Sequence, residues 1–243
     1  MATLPFGGDM GSDSLVNPGD LTLNTATQQM ALGTRATIAS RSFRYVKAGG
    51  TTLVQGKLQQ APAEITNHQN MVTAAAAIGA TSVSVTPGAT GGAANLYAEG
   101  WLLITITPGE GYMYQVSSHA AITSSTAFTV YLKDAIQVAL TTASNADLVS
   151  NPYANIVVNP TTATSAPVGA AVYPVTNAQF GWIQDGGVAS CLVDDQTVVV
   201  GTSLSASNQA AGAVEPLTGV QALVGIAMTG GATTDYVAVK LLL

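Results

Sequence analysis

Short runs in which apolar and polar residues alternate, each closed by a turn that carries glycine or proline, recur along most of this chain. Thr81-Ser82-Val83-Ser84-Val85-Thr86 ends at Pro87-Gly88, and Trp101-Leu102-Leu103-Ile104-Thr105-Ile106 ends at Pro108-Gly109. Phe128-Thr129-Val130-Tyr131-Leu132 repeats the pattern. A period of two puts successive side chains on opposite faces of a strand, whereas a helix needs a period near 3.6. Ala, Val, Thr and Ser fill these runs, and branched side chains suit a pleated, half-buried surface. The expected fold is all-β: short antiparallel strands forming one or two small sandwich or barrel modules, with an extended N-terminal arm.

The punctuation suggests four stretches. Residues 1–32 read as the arm, rich in Gly, Pro and Asp near the start, with one or two helical turns at Thr25–Leu32. Residues 33–95 read as strands and one short helix, the helix candidate being the alanine-rich Asn70–Ile78, because alanine has the highest helix propensity. Residues 96–160 read as an antiparallel meander, and 161–243 as a compact barrel or sandwich of six short strands, with Gly186-Gly187 and Gly230-Gly231 as hairpin turns. At 243 residues the chain can bury one large core or two small ones.

Charged residues are only 8% of the chain, against roughly a quarter in ordinary soluble domains. Such a surface is suited to being covered by neighbouring subunits, the alternative being a monomer solvated by Ser, Thr, Asn and Gln. A net charge of −6 disfavours nucleic acid, which is held by clustered Lys and Arg. Five of the seven basic residues nevertheless fall together: Arg35, Arg41, Arg44, Lys47 and Lys57. They are the candidate partner-contact residues, forming a basic strip for an acidic partner. The competing reading is an edge strand protected from aggregation by its charges.

No constellation points to catalysis. His68 and His119 lack a second ligand at metal-binding spacing, and no Gly-x-Ser-x-Gly elbow accompanies either. Asp194-Asp195 follows an apolar run where Asp commonly shapes a turn. Glu99, Glu110, Asp134 and Asp147 could serve a glycosidase only if two faced each other across a cleft, which spacing does not show. Gly50–Leu58 has five residues between its glycines, and Leu58 stands where a phosphate loop needs Ser or Thr. Cys191, the single cysteine, is expected to be buried as a small hydrophobe. Trp101 and Trp182, each preceded by glycine, are expected in cores. Neither a secretion signal nor a membrane-length apolar run is recognised. The expectation is no enzyme activity, no cofactor, no metal, no nucleic acid and no membrane.

Several strings resemble those of tailed-phage head decoration, or cement, proteins. They are Leu32-Gly33-Thr34-Arg35, Phe43-Arg44-Tyr45-Val46-Lys47-Ala48-Gly49, Gly109-Glu110-Gly111-Tyr112 and Asn151-Pro152-Tyr153. Phe180-Gly181-Trp182-Ile183-Gln184-Asp185-Gly186-Gly187 and Val224-Gly225-Ile226-Ala227 complete the set. The resemblance implies a bacteriophage virion protein, made in the host cytoplasm, that docks on the capsid surface and ties major capsid protein subunits together. It also implies a homo-oligomer, with a trimer favoured. The alternatives are another virion component, such as a tail or fibre-associated protein, or a receptor- or carbohydrate-binding β module.

Overall fold

The structure is a computed structural model that describes residues 13–14, 18–194, 196–219 and 221–243. Its strands are β1 (Asp13–Ser14), β2 (Arg35–Ile38), β3 (Arg41–Lys47), β4 (Leu58–Gln60), β5 (Met71–Thr73) and β6 (Ser82–Thr86). There follow β7 (Trp101–Ile106), β8 (Met113–His119), β9 (Phe128–Leu132), β10 (Asn145–Val149), β11 (Val157–Val158) and β12 (Pro167–Ala170). The chain ends with β13 (Phe180–Leu192), β14 (Ser203–Ala206), β15 (Val214–Pro216), β16 (Leu223–Ala227) and β17 (Tyr236–Leu242). The described helical segments are two short 3-10 turns, Pro18–Thr22 and Thr66–His68. The chain is all-β, as the alternation indicates.

Two β modules divide these strands. β5 to β10 close into a six-stranded barrel in the order β10-β5-β6-β9-β8-β7. Its register sets inward residue against inward residue: Leu102 lies opposite both Tyr114 and Leu148, Ile104 opposite Ala146, and Val85 opposite Phe128. All are buried in one cluster with Val83, Val116 and Val130. Alternation supplies the inward stripe, and closure leaves no unpaired edge along the barrel wall.

The second module is an eleven-stranded sheet whose main path is β1-β2-β3-β13-β17-β16-β14-β15, with β4, β11 and β12 branching from it. Its strands come from both sides of the barrel in sequence, so the barrel is an insertion. β4, just before the barrel, pairs with β11, just after it, through Gln60 with Val157 and Gln59 with Val158. Chain exit and return are thereby hydrogen-bonded side by side. The sheet's cores are separate from the barrel's. One, around Leu204, Val224 and Val239, holds the buried thiol of Cys191. Another packs Phe43, Tyr45, Phe180 and Trp182, and Trp101 is only half-buried on the barrel.

Three expectations need correction. Asn70–Ile78 is not a helix: Met71–Thr73 is strand β5, paired with β6 and β10. Met71 and Thr73 point inward while Val72 points out, and barrel closure outweighs the propensity of the alanines. Thr25–Leu32 forms no helical turn, because Thr25 bridges Phe180 and the Gln29 amide donates to the Tyr45 hydroxyl at 3.0 Å. Gly186-Gly187 is no hairpin but the interior of the thirteen-residue β13, at a bulge between Gln184 and Gly186. Gly187 has φ +77°, and a Cβ there would lie 2.3 Å from the Ser40 carbonyl oxygen, so only glycine fits.

Of the arm expected over 1–32, residues 1–12 and 15–17 lie outside the described residues. From Pro18 the chain packs on its own sheet, with Leu21 buried and Met30 and Leu32 against the same aromatic cluster.

Candidate functional site

The basic strip does not come together as one surface. On β3, Arg41 and Lys47 share a face and Arg44 takes the other, as residues an odd number apart must. Arg35 lies directly opposite Arg44 in the register and is exposed. Lys57 lies before β4 and packs its stem beside Gly212. Arg41 sits over the Phe43 ring at 5.3 Å, and Lys47 over Phe180 at 5.7 Å.

Arg44 serves the fold. The bulge in β13 inserts Asp185 on Arg44's face, where Arg44 Nε donates to Asp185 Oδ2 at 2.6 Å and the Ser42 hydroxyl donates to Oδ1 at 2.6 Å. Asp185 is buried. Arg44 also donates to the Gly33 carbonyl at 3.1 Å and covers the Tyr153 ring. Sequence reading missed Asp185 because Asp beside two glycines imitates a turn; the available signal was Gln184-Asp185 interrupting an apolar run without a proline.

Glu99 joins the two modules. Its Oε2 accepts from the Leu32 amide at 2.7 Å, and its Oε1 accepts from Gln28 Nε2. Asn151 Nδ2 donates to the Glu99 carbonyl at 3.1 Å. Glu99 holds φ +63°, an uncommon value for a side-chain-bearing residue. The other carboxylates considered for acid–base work also satisfy backbone donors: Asp134 accepts from the Gln115 amide and Asp147 from the Asn70 amide. Glu110 is exposed in the β7–β8 turn.

The two histidines, 51 positions apart in the chain, meet on either side of Tyr97 at one end of the barrel. His68 Nε2 donates to the Thr90 carbonyl at 2.9 Å, which leaves Nδ1 to accept from the Tyr97 hydroxyl at 2.6 Å. His119 Nδ1 donates to the Ala120 carbonyl at 2.7 Å, so its Nε2 accepts from the Tyr97 amide at 3.1 Å. Both rings thus have complete partners in the neutral form. Burial pushes the Tyr97 phenol well above its usual value, with Glu64 adding to the effect.

Burial holds the His119 imidazole below its ordinary value of 6.5; the Ala120 carbonyl opposes this and His68 reinforces it. Protonation would also turn Nε2 into a donor facing the Tyr97 N–H. Unfolded His119 takes a proton near pH 6.5 while folded His119 does not. Barrel stability is therefore expected to be complete above about pH 6.5 and to fall as pH drops from there towards the lowered folded value. Urea melts from pH 7.5 to pH 5 check this. His119→Gln should flatten the slope, and an equally steep slope in that variant would remove His119 as its source.

In the sheet module, Asp194 and Glu215 are buried together. Asp194 accepts from the Gln196 amide and the Ser207 hydroxyl, both at 2.8 Å. Glu215 accepts from Gln221 Nε2 at 2.7 Å and from the Asn208 amide. Burial pushes the Glu215 carboxyl up, opposed by the Gln221 bond and reinforced by Asp194. Asp195 lies outside the described residues. Among the described residues no three His, Cys, Asp or Glu side chains cluster as a metal site would require. Burial also pushes the Cys191 thiol up to about 12, so it is not a nucleophile near neutral pH. No described helix is long and apolar enough to cross a membrane.

Each of these polar clusters finds its partners within the chain, so what they do chemically is position backbone and join elements. Comparison with family models, with curated proteins and with solved structures gives no match to this chain.

Proposed function

We propose that this chain is a virion structural protein that binds the outer surface of a capsid and strengthens contacts between major capsid protein subunits. The observation that carries the reading is apolar exposure on a surface with few charges. Ile78 on the barrel is 69% exposed, and Val199 and Val200 on the sheet module are 63% exposed each. Only 8% of residues are charged. Large side chains left in water on such a surface favour contact with companions. The polar clusters turned inward support the same role, since they stiffen the modules and leave adhesion to the exterior.

Two modules joined at Glu99 give such a protein two places to hold neighbouring subunits. Many identical weak contacts on one shell add up to strong resistance to rupture. A homo-oligomer, with a trimer favoured, fits threefold positions on a lattice. The test adds purified protein to virion shells that lack it. Saturable binding and a higher temperature of shell disruption are expected. Failure to bind, with shells disrupted at an unchanged temperature, would overturn the proposal.

A further inference from the structure

The main path of the sheet module runs from β13 through β17, β16 and β14 to β15, and there its two ends come back together. Val193, just past β13, bridges Val214 of β15 in parallel, and the Asp194 amide donates to the Val214 carbonyl at 3.2 Å. These strands are thus curled nearly shut, and this short seam is where they close. β15 has its ladder with β14 on one side, so the seam holds its other edge. Val193 and Val214 are both buried in the core cluster around Leu204.

Next to the bridge on each strand stands a carboxylic acid. Asp194 and Glu215 are both buried, and their carboxyl groups are in hydrogen-bonding contact. Their other partners are neutral: the Gln196 amide and the Ser207 hydroxyl on Asp194, Gln221 Nε2 and the Asn208 amide on Glu215. Charged side chains on the elements packed here are Lys57, whose stem lies against Gly212, and Asp235, which accepts from the Ala232 amide. Among the described residues neither carboxyl has a cation in ion-pair contact. Two carboxylates in contact and away from water cannot both ionise without a large cost, so the closed seam keeps one proton for the pair.

We propose that Asp194 and Glu215 form a proton-dependent clasp on this seam: one proton held between the two carboxyls keeps the curl shut, and its loss parts β15 from the Val193–Asp194 edge. Because the described seam is a single bridge and not a long ladder, the carboxyl contact is a large part of what closes it. Burial, with Asp194 adding to it, raises the Glu215 carboxyl above its ordinary 4.5 against the opposing Gln221 and Asn208 bonds. An open seam lets Glu215 release its proton near pH 4.5, a closed one only at higher pH. Closure is therefore strongest below about pH 4.5 and weakens as pH rises from there to the raised value. This is opposite in sign to the His119 effect on the barrel, and it does not depend on a role at a capsid surface.

The test is NMR of the full chain, carrying 15N and side-chain carboxyl 13C labels, from pH 4 to pH 9. The Asp194 and Glu215 carboxyl carbons are expected to respond together to one step above pH 4.5. Hydrogen-exchange protection factors at the Asp194 and Ser207 amides should fall through the same interval, by up to tenfold per pH unit, the limit for one linked proton. Amides of β3 should keep their protection. Glu215→Gln supplies a permanent N–H in place of the shared proton, so its seam protection should stay constant with pH. Carboxyl carbons that titrate separately at ordinary values overturn the proposal, and this readout needs no variant. So does seam protection that is flat with pH in the unaltered chain, or that falls as steeply in Glu215→Gln.

Discussion

Arg44→Ala is expected to destabilise the protein by about 3 kcal/mol, measured by urea unfolding at pH 7. Removing one member of a buried ion pair typically costs about 3–5 kcal/mol, because the other charge is left without compensation. Asp185 is that other charge: it is buried at the β13 bulge, with Ser42 as its remaining donor. The lower end of the range applies because the Arg44 side chain is 29% exposed and water can partly replace it. Asp185→Ala added to Arg44→Ala should recover part of the loss, since it removes the orphaned carboxylate. A loss below about 0.5 kcal/mol, typical of surface substitutions, would show that the pair does not hold β3 to β13. The result also matters for the basic strip. A shell-binding defect in an Arg44 variant would report damage to the fold, whereas exposed Arg35 can be changed to test contact alone.

The second large effect belongs to the barrel. Ile104→Ala should cost about 3–4 kcal/mol, within the range of about 2–5 kcal/mol for deleting a buried aliphatic side chain. Ile104 is fully buried opposite Ala146 and near the Gly109 turn, so its only cross-strand neighbour in β10 is already small and cannot fill the space. Because the barrel core is a separate cluster from those of the sheet, the loss should be local. Hydrogen exchange is expected to quicken across residues 71–149 while β13 and β17 keep their protection. Uniform acceleration through both modules would mean that they unfold as one unit.

The all-β class was legible because strand alternation is a local property. Val83, Val85, Leu102, Ile104 and Val130 could be assigned to a buried face from spacing alone, and each is buried. The β7–β8–β9 meander followed from turns at Pro108-Gly109 and from two-residue alternation on both sides. Where the reading failed, a local rule met a longer-range constraint. The alanines after Asn70 favour helix in isolation, yet β5 is needed to close the barrel. Gly186-Gly187 favours a turn in isolation, yet β13 runs through it because β3 pairs with its first half and β17 with its second.

The candidate site was less legible than the fold. Arg35, Arg41, Arg44, Lys47 and Lys57 are neighbours in sequence, but strand alternation divides them between faces. The groups that lie together come from distant positions: Glu99 with Leu32, His68 with His119 across Tyr97, and Asp185 with Arg44. No spacing rule links such residues, since their proximity depends on which strands pair and in what register.

Strand content, turn positions and the scarcity of charge were therefore set by the residues themselves, through side-chain period, backbone preference and solvation. Tertiary structure decided that the barrel is an insertion, that Arg44 neutralises Asp185, and that Asp194 meets Glu215. The physical reason is that pairing and register between strands far apart in the chain decide which side chains meet, and local sequence preference carries no information about either.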